Sequence, residues 1–202
     1  MLNKYFKKSK AIPIDKFVEN VLYDKKYGYY AKKNPFGKNG DFITSPDITF
    51  LFSEMIAIWI IYFWEKLDKP KKFNIVELGP GTGKLSKILL ETFKKFPEFY
   101  KSQNTFLYER SKKLKLVQKK ILLGSNIKWI SNFKKIKEGP VIFFGNEFFD
   151  AIPIKQFSNI NNELLEKCYS VKNKVNIIEK FIRGKKKDIA QINTFGTLEK
   201  LK

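Results

Sequence analysis

The sequence has 202 residues, of which 43% are apolar, enough for one domain, or one domain with a small appendage, around a buried core. It contains no histidine and a single cysteine, Cys168. This excludes an imidazole base, a histidine-rich metal site, a cysteine zinc site and an internal disulfide, so no metal is predicted. The cysteine usage favours a cytosolic or matrix-like compartment over a secreted one.

The formal net charge of +20 would suit a nucleic-acid partner. Among the 40 basic residues, however, only Arg110 and Arg183 are arginine, the side chain that recognises phosphate and guanine through paired hydrogen bonds. The lysines are spread along every segment, apart from a short run at 185–187. We therefore interpret the charge mainly as compositional, and nucleic acid is not the predicted partner.

The first part of the chain, residues 1–69, is predicted to form a helical cap that precedes a domain over residues 70–202. A helix is expected around residues 17–22, where apolar side chains recur at helical spacing, and a turn-rich segment follows over residues 34–40. The first ten residues carry several lysines but no apolar stretch of signal-peptide length.

A long helix is predicted to begin at Ser45-Pro46-Asp47, because a hydroxyl cap, a proline and a carboxylate are typical of a helix N-terminus. It should end near Leu67. Its middle, residues 55–64, is uncharged and apolar on all faces. That run is much shorter than the roughly 20 residues of a membrane span. We therefore expect no membrane span and a helix that is buried on most sides.

Three glycines follow a short apolar run over residues 73–78. The run is rich in branched side chains and predicts a buried parallel strand. Gly79, Gly81 and Gly83 end it, and apolar side chains recur at helical spacing from Thr82 onward. The sequence predicts a strand, a tight turn and a helix, which together open a βαβ fold.

The spacing of the glycines limits the classes of ligand that this turn could bind. Glu77 and the alternate glycines would let the backbone approach a ligand above the strand end. A dinucleotide fingerprint would need its last glycine at Lys84 or Ser86, and a P-loop would need a glycine at Leu78 and a hydroxyl at Leu85. The remaining pattern is the one used for S-adenosylmethionine, with a purely structural turn as the alternative.

A second strand is predicted over Thr105–Tyr108, and it ends in Glu109. An acidic residue that closes the second strand of a βαβ unit is placed to accept hydrogen bonds from the ribose hydroxyls of a nucleoside. The alternative is that Glu109 caps the helix that follows, because carboxylates favour helix N-termini.

A third strand is predicted over Ile127–Ile130 and a fourth over Pro140–Phe144, which leads directly into Asn146 and Glu147. In an open parallel sheet, the loops after the strands share one crevice, so these two residues should face the same ligand as the glycines. They are the catalytic candidates. The alternatives are a capped turn for Asn146 and a solvated charge for Glu147.

Three blocks of sequence occur in a distinctive order and spacing. They are residues 40–47 (GDFITSPD), 77–83 (ELGPGTG) and 146–157 (NEFFDAIPIKQF), with YGYY ahead of the first block at residues 27–30. Through these blocks the chain resembles the MidA family of class I S-adenosylmethionine-dependent methyltransferases, and the resemblance covers about residues 12–160. That family includes the mitochondrial arginine methyltransferase that assists respiratory complex I assembly.

The resemblance implies an α/β fold with a Rossmann-like methyltransferase sheet and an N-terminal helical cap. It implies S-adenosylmethionine as cofactor and a protein substrate that is methylated on arginine, such as a respiratory complex I subunit, or a bacterial counterpart of this activity. The corresponding location is the mitochondrial matrix of a eukaryote or the cytoplasm of a bacterium.

The resemblance also implies roles for the candidate residues. The three glycines would admit the methionine end of the cofactor, Glu77 would orient the turn or the ammonium group, and Glu109 would hold the ribose. Glu147, next to Asn146, would pair with a guanidinium and bias its lone pair toward the methyl group. Asp41 and Phe42 would line the entry from the cap.

Only four parallel strands can be counted before Phe157, fewer than the family's sheet contains. The strand-like runs Leu164–Val171 and Val175–Ile182 cannot supply the rest with their connecting helices. We therefore expect the chain to be the N-terminal part of a longer protein, with an incomplete domain that is inactive alone and either aggregation-prone or only partly ordered after about Ile160. A nucleic-acid methyltransferase, and a non-catalytic assembly protein on a methyltransferase scaffold, remain as alternative functions.

Overall fold

The structure is a computed structural model that describes residues 11–32, 49–136, 138–173 and 176–194. The chain divides into two compact units, one over residues 34–150 and one that combines residues 1–33 with residues 151–202. The long helix after residue 49 packs on the parallel sheet and belongs to the first of these units. The predicted boundary between residues 69 and 70 stays a prediction.

The elements follow one another along both units. In chain order they are β1 (Ile12–Pro13), α1 (Ile14–Tyr23), α2 (Tyr29–Lys32), α3 (Phe50–Lys66), β2 (Phe73–Leu78), α4 (Lys84–Phe93), α5 (Pro97–Ser102), β3 (Gln103–Tyr108), α6 (Lys112–Ile121), β4 (Ile127–Ile130), a 3₁₀ turn (Phe133–Lys135), β5 (Val141–Phe144), a second 3₁₀ turn (Phe149–Ala151), β6 (Phe157–Ile160), β7 (Glu163–Lys172), β8 (Asn176–Arg183) and α7 (Lys186–Thr194).

The first unit is built on a parallel sheet with the strand order β4-β3-β2-β5. All four strands predicted from the apolar runs are present, which confirms the α/β class and its Rossmann-like sheet. Strand β2 is central, and Val76 lies between Phe106 of β3 and Phe143 of β5. Because the strands are parallel and in register, the loops after β2, β3 and β5 emerge at one edge of the sheet.

The main core of this unit joins the sheet to helices α3, α4 and α5. Its fully buried members are large apolar side chains: Ile60, Phe73, Ile75, Phe93, Phe99 and Leu107. Strand β2 is buried along its whole length, as expected for a central strand covered on both faces. The loop that begins at Gly79 therefore follows a strand that is fixed on both faces.

Helix α3 corrects two expectations. It begins at Phe50, where the hydroxyl of Thr49 accepts the Leu51 amide at 3.2 Å, and the predicted start at Ser45 lies outside the described residues. It is also not buried on most sides, because only one stripe, from Ser53 to Trp64, faces the core. The opposite side exposes large apolar side chains: Leu51, Met55, Ile58, Trp59 and Tyr62.

The second unit is an antiparallel sheet centred on β7. Strand β8 pairs with β7 over residues 165–172, whereas β6 and β1 pair with β7 over residues 163–166 and 168–169. The strands expected near residues 164–171 and 175–182 are thus confirmed. The strands described continue to Arg183. The expectation of aggregation, or of only partial order after about Ile160, stays a prediction.

One face of β7 carries a buried charge cluster. Alternate residues of the strand point inward, among them Glu166 and Cys168. The ammonium of Lys155 donates a hydrogen bond to Glu166 and lies 3.2 Å from the Asp188 carboxylate on α7. The Glu166 contact is the main cause that raises the pKa of Lys155. The cluster ties α7 to the antiparallel sheet.

Candidate active site

The turn between β2 and α4 requires its glycines for backbone reasons. Gly79, Gly81 and Gly83 have φ values of +63°, +54° and +88°, a left-handed region that other residues rarely adopt. The amide of Gly83 donates to the carbonyl of Pro80 at 2.7 Å, which closes the turn at the start of α4.

The same glycines allow close approach of neighbouring groups. A Cβ added at Gly79 would lie 2.5 Å from the Phe148 ring, and one at Gly83 would lie 3.2 Å from Leu122. The amide of Gly79 donates to the carbonyl of Tyr108 at 2.9 Å, so the turn is also tied to the end of β3. The turn is a compact cradle with no room for side chains at Gly79.

Glu77 lies inside β2 and is 2% exposed. The hydroxyl of Ser86, in the first turn of α4, donates a hydrogen bond to its carboxylate. Burial raises the pKa of Glu77 from 4.5 to about 7, against the opposing effect of the Ser86 hydrogen bond. Glu77 thus connects the strand to the helix beneath the glycine turn.

Glu109 stands directly after β3, next to the turn. One carboxylate oxygen accepts the Ser111 amide at 2.7 Å, and the other accepts the side-chain amide of Gln118 at 3.3 Å. Burial is the largest cause that raises the pKa of Glu109, while these hydrogen bonds and one from the Arg110 backbone oppose it. The residue that caps α6 is Ser111, whose hydroxyl accepts the Leu114 amide at 3.2 Å, so Glu109 holds the cap residue and does not itself cap the helix. The Gln118 contact fixes the carboxylate from the side of the turn.

Asn146 and Glu147 follow β5 at the same edge of the sheet. Gly145, just before them, packs on β2, because an added Cβ would lie 3.0 Å from the Leu78 carbonyl oxygen. Asn146 is half-buried and Glu147 is exposed, with a φ of +53° that is uncommon for a residue with a side chain. Such strained backbone is often found at functional sites.

Phe148 fills the space between the three strand ends. Its ring lies against Gly79 and meets the Tyr108 ring edge-to-face, with centroids 6.5 Å apart. It also packs on the second core cluster of the sheet, which contains Val76 and Leu78. The structure therefore brings Glu77, the glycines, Glu109, Asn146 and Glu147 to one edge of the parallel sheet.

Three further expectations concern the entry residues, a metal site and a membrane span. Asp41 and Phe42, predicted to line the entry, lie outside the described residues. Within the described ranges, no three cysteine or acidic side chains are grouped as metal ligands would be. None of the helices described is long and apolar enough to cross a membrane.

Comparison with known proteins assigns the chain to a family. Residues 55–197 match the profile of the family described as "Putative S-adenosyl-L-methionine-dependent methyltransferase". The chain belongs to this family. The resemblance to MidA-like methyltransferases is thereby confirmed.

Relatives of the family with curated names are arginine methyltransferases. The chain is 29% identical to protein arginine methyltransferase NDUFAF7, mitochondrial, of Xenopus laevis, across 88% of this chain and 46% of that protein. It is 30% identical to the NDUFAF7 homolog of Drosophila melanogaster, across 77% of this chain and 40% of that protein. The chain thus spans about half the length of the curated relatives it matches.

A solved family structure shares the fold. A COG1565 superfamily member from Burkholderia thailandensis, crystallised with S-adenosyl-homocysteine, superposes with a TM-score of 0.71 at 24% identity. The superposition covers 91% of this chain and 49% of that one. It supports the Rossmann-like architecture of the methyltransferase sheet.

Sequence reasoning did not identify Gln118 and Phe148 as parts of this site. Gln118 shares a helical stripe with Leu114, Val117 and Ile121, so it is a polar residue on the apolar face of α6. A polar residue at such a position predicts buried hydrogen bonds, and this signal could have identified it. Phe148 carries no comparable signal, because its contact with Gly79 depends on the pairing of β5 with β2.

Proposed function

We propose that this chain forms the cofactor site and part of the active site of an S-adenosylmethionine-dependent protein arginine methyltransferase. The observation that carries the proposal is the convergence of the glycine turn, Glu109 and the Asn146–Glu147 loop at one sheet edge, in a chain of this family. The curated names of its relatives support arginine as the methylated residue.

The residues at the ends of β2 and β3 fit the cofactor. The left-handed glycines at 79, 81 and 83 would let the methionine end approach the backbone, where a side chain would clash. Glu77 would orient the turn through its contact with Ser86. Glu109 would accept hydrogen bonds from the ribose, since a carboxylate offers about four lone pairs and the contacts with Ser111 and Gln118 use two of them.

The residues after β5 fit the substrate. S-adenosylmethionine, when bound, supplies an electrophilic methyl group on its sulfonium. Glu147 would accept hydrogen bonds from the substrate guanidinium and localise its positive charge on the paired nitrogens, which biases the lone pair of the remaining nitrogen toward that methyl group. As the N–C bond forms and the sulfonium S–C bond breaks, the methylated nitrogen would lose a proton, which Glu147 would accept. Asn146 would help to hold the guanidinium, and Asp41 with Phe42 would line the entry.

The test separates the substrate role of Glu147 from cofactor binding. In Glu147→Gln, the affinity for S-adenosylhomocysteine should stay within about twofold, whereas affinity for an arginine peptide in its presence should fall about tenfold or more. Titration calorimetry measures both. Glu163→Gln is the matched control, because Glu163 is an exposed carboxylate at the start of β7. Equal peptide affinity in both variants would refute the role of Glu147.

A nucleic-acid substrate is the competing proposal that the net charge of +20 favours. It predicts binding of single-stranded RNA whose affinity falls steeply with salt, because each neutralised phosphate releases a counterion. Our proposal predicts that an unrelated RNA does not compete with the arginine peptide at about 150 mM salt. Competition at that salt would favour the nucleic-acid methyltransferase.

Partners and location belong to the same proposal. A protein substrate follows from the names of the relatives, and a respiratory complex I subunit is the finer expectation from the MidA resemblance. Because those relatives are mitochondrial, we infer the mitochondrial matrix for a eukaryotic source and the cytoplasm for a bacterial one.

A further inference from the structure

Gln118 joins the two elements that would hold the cofactor. We propose that it is a positioning residue, which fixes the Glu109 carboxylate and the glycine turn in the relative placement that the nucleoside requires. The inference rests on the proposed function, and it adds a residue to which neither the family match nor the sequence motifs assign a role.

The geometry is specific. Gln118 lies two turns into α6 and is fully buried. Its side-chain nitrogen donates to the carbonyl of Gly81 at 2.8 Å and to the Glu109 carboxylate at 3.3 Å. Its side-chain oxygen accepts the indole N–H of Trp129, on β4, at 2.8 Å. One side chain thus links the turn after β2, the end of β3 and strand β4.

The chemistry of two of the partners determines the orientation of the amide. The indole of Trp129 can only donate, whereas the Gly81 carbonyl can only accept. A flipped amide would place oxygen against the Gly81 oxygen and nitrogen against an N–H. The side chain of Gln118 therefore has one stable orientation, which points both of its N–H groups at the cofactor-facing elements.

The Gly81 contact also orients the turn. No described peptide bond is cis, so the carbonyl of Gly81 and the amide of Thr82 point in opposite directions. Since Gln118 holds that carbonyl, the Thr82 amide is directed away from α6. The second contact holds the carboxylate of Glu109 from the side opposite Ser111, so its plane is fixed by donors on both oxygens.

Packing alone does not account for a glutamine here. Burial of an amide is unfavourable unless it is hydrogen-bonded, and a methionine of similar length would fill the same space without that cost. The other buried glutamine, Gln103, lies at the opposite end of β3 and accepts a hydrogen bond from Thr105 in its own strand. Gln103 thus provides a matched control for changes in core packing.

The experiment measures ribose discrimination by the full chain. Titration calorimetry gives the dissociation constants of S-adenosylhomocysteine and of its 2′-deoxy and 3′-deoxy analogues, for the unmodified chain and for Gln118→Met, Gln118→Glu, Gln103→Met and Gln103→Glu. For each variant, the dissociation constant of each deoxy analogue is divided by that of S-adenosylhomocysteine. The larger of the two ratios is the ribose discrimination. Circular dichroism and a thermal melt establish that each variant is folded.

We expect the unmodified chain and both Gln103 variants to prefer the parent ligand about tenfold or more, as for a hydrogen bond to a charged group. In Gln118→Met the ratio should fall to near one, because Glu109 is no longer held against the ribose. Gln118→Glu should bind all three ligands most weakly, since its carboxylate would face the carbonyl of Gly81 and the carboxylate of Glu109.

The outcomes separate the inference from the function on which it rests. If the unmodified chain discriminates and folded Gln118→Met keeps the same ratio, Gln118 is only a packing residue and the inference is wrong. If the unmodified chain binds none of the ligands, the proposed cofactor site is wrong and the inference falls with it. A loss of affinity in Gln118→Met that is equal for parent and deoxy ligands would also overturn the positioning role.

Discussion

Gly81 is the residue at which the account of the cofactor site is most easily tested. Its φ of +54° strains any branched residue, and the proposed ligand would lie against its backbone. We expect Gly81→Val to abolish the binding of S-adenosylhomocysteine while leaving most of the helix content. Calorimetry and far-ultraviolet circular dichroism measure the two effects.

Gly124 provides the control for this substitution. It has a φ of +78° but no heavy atom within 4 Å of an added Cβ, so Gly124→Val introduces comparable backbone strain at an open position. It should keep the cofactor affinity of the unmodified chain. If both valine variants bind equally well, the glycine turn is only a structural turn.

The raised pKa of Glu77 predicts how stability depends on pH. A carboxyl whose pKa is about 7 in the folded chain and 4.5 when exposed binds more protons when folded, so its favourable contribution is complete below pH 4.5 and is lost as the pH rises to about 7. The decrease is about 3 kcal/mol in the free energy of unfolding.

Glu77→Gln removes this titration but not those of other groups. The difference in unfolding free energy between the unmodified chain and Glu77→Gln should therefore fall by about 3 kcal/mol between pH 4.5 and pH 7. Urea unfolding at a series of pH values measures it. If the difference in unfolding free energy does not change with pH, the pKa of Glu77 is the same in the folded and unfolded chain, and burial does not raise it.

At the scale of elements, the sequence predicted the parallel strands better than the surroundings of the helices. All six residues of β2 are buried because the strand is covered on both faces, and four of them, at 73, 75, 76 and 78, are large apolar residues, which is a strong signal for a central strand. Helix α3 is also apolar on all sides, yet it exposes Trp59 and Met55. Periodicity cannot indicate which face of a uniformly apolar helix packs on the sheet.

The position of the candidate residues at one sheet edge follows from chain order and could be predicted, whereas the contacts between their side chains could not. Glycines after a strand, and acidic residues after the next strands, can be placed at one sheet edge from topology alone. The contact between Gln118 and Glu109 requires the rotation of α6 about its axis, and the contact between Phe148 and Gly79 requires the position of β5 beside β2.

The Lys155 cluster tests how α7 is held in the second unit. Lys155→Met leaves Glu166 buried with its charge unpaired, and it removes the contact with Asp188. Because Lys155 is about a third exposed, we expect a loss of about 1–3 kcal/mol rather than the larger value of a fully buried pair. Hydrogen exchange should show faster opening of residues 186–194.

The control for this prediction is Lys167→Met. Lys167 forms an ion pair with Glu179 at 2.6 Å, but Glu179 is 41% exposed, so solvent screens the pair and its removal should destabilise the chain much less than Lys155→Met does. It should leave exchange in α7 unchanged. Equal exchange in the two variants would show that the Lys155 cluster does not anchor the helix.

At the scale of the whole molecule, exposed apolar surface is the main liability of the chain expressed alone. Leu51, Met55, Trp59 and Tyr62 form an exposed stripe along α3. Among the strands described, β5 has a partner only in β2, so its other edge offers unpaired backbone groups. Contiguous apolar surface of this kind promotes association, and we expect the chain to self-associate.

Charge placed on the stripe should reduce this association. We expect Met55→Lys combined with Trp59→Lys to shift the chain toward monomer in size-exclusion chromatography, without a change in cofactor affinity. Leu123→Lys is the control, because Leu123 is 87% exposed but isolated from the α3 stripe in sequence. A chain that is already a sharp monomer would contradict the prediction.

The central claim is that the glycine turn at the end of β2 binds the cofactor. Labelling the glycines with ¹⁵N gives 11 amide signals, and titration with S-adenosylhomocysteine should shift those of Gly79, Gly81 and Gly83. The signals of Gly124 and Gly184, which lie outside the turn, should stay in place. Unchanged turn signals at a saturating concentration, or shifts confined to other glycines, would contradict the claim.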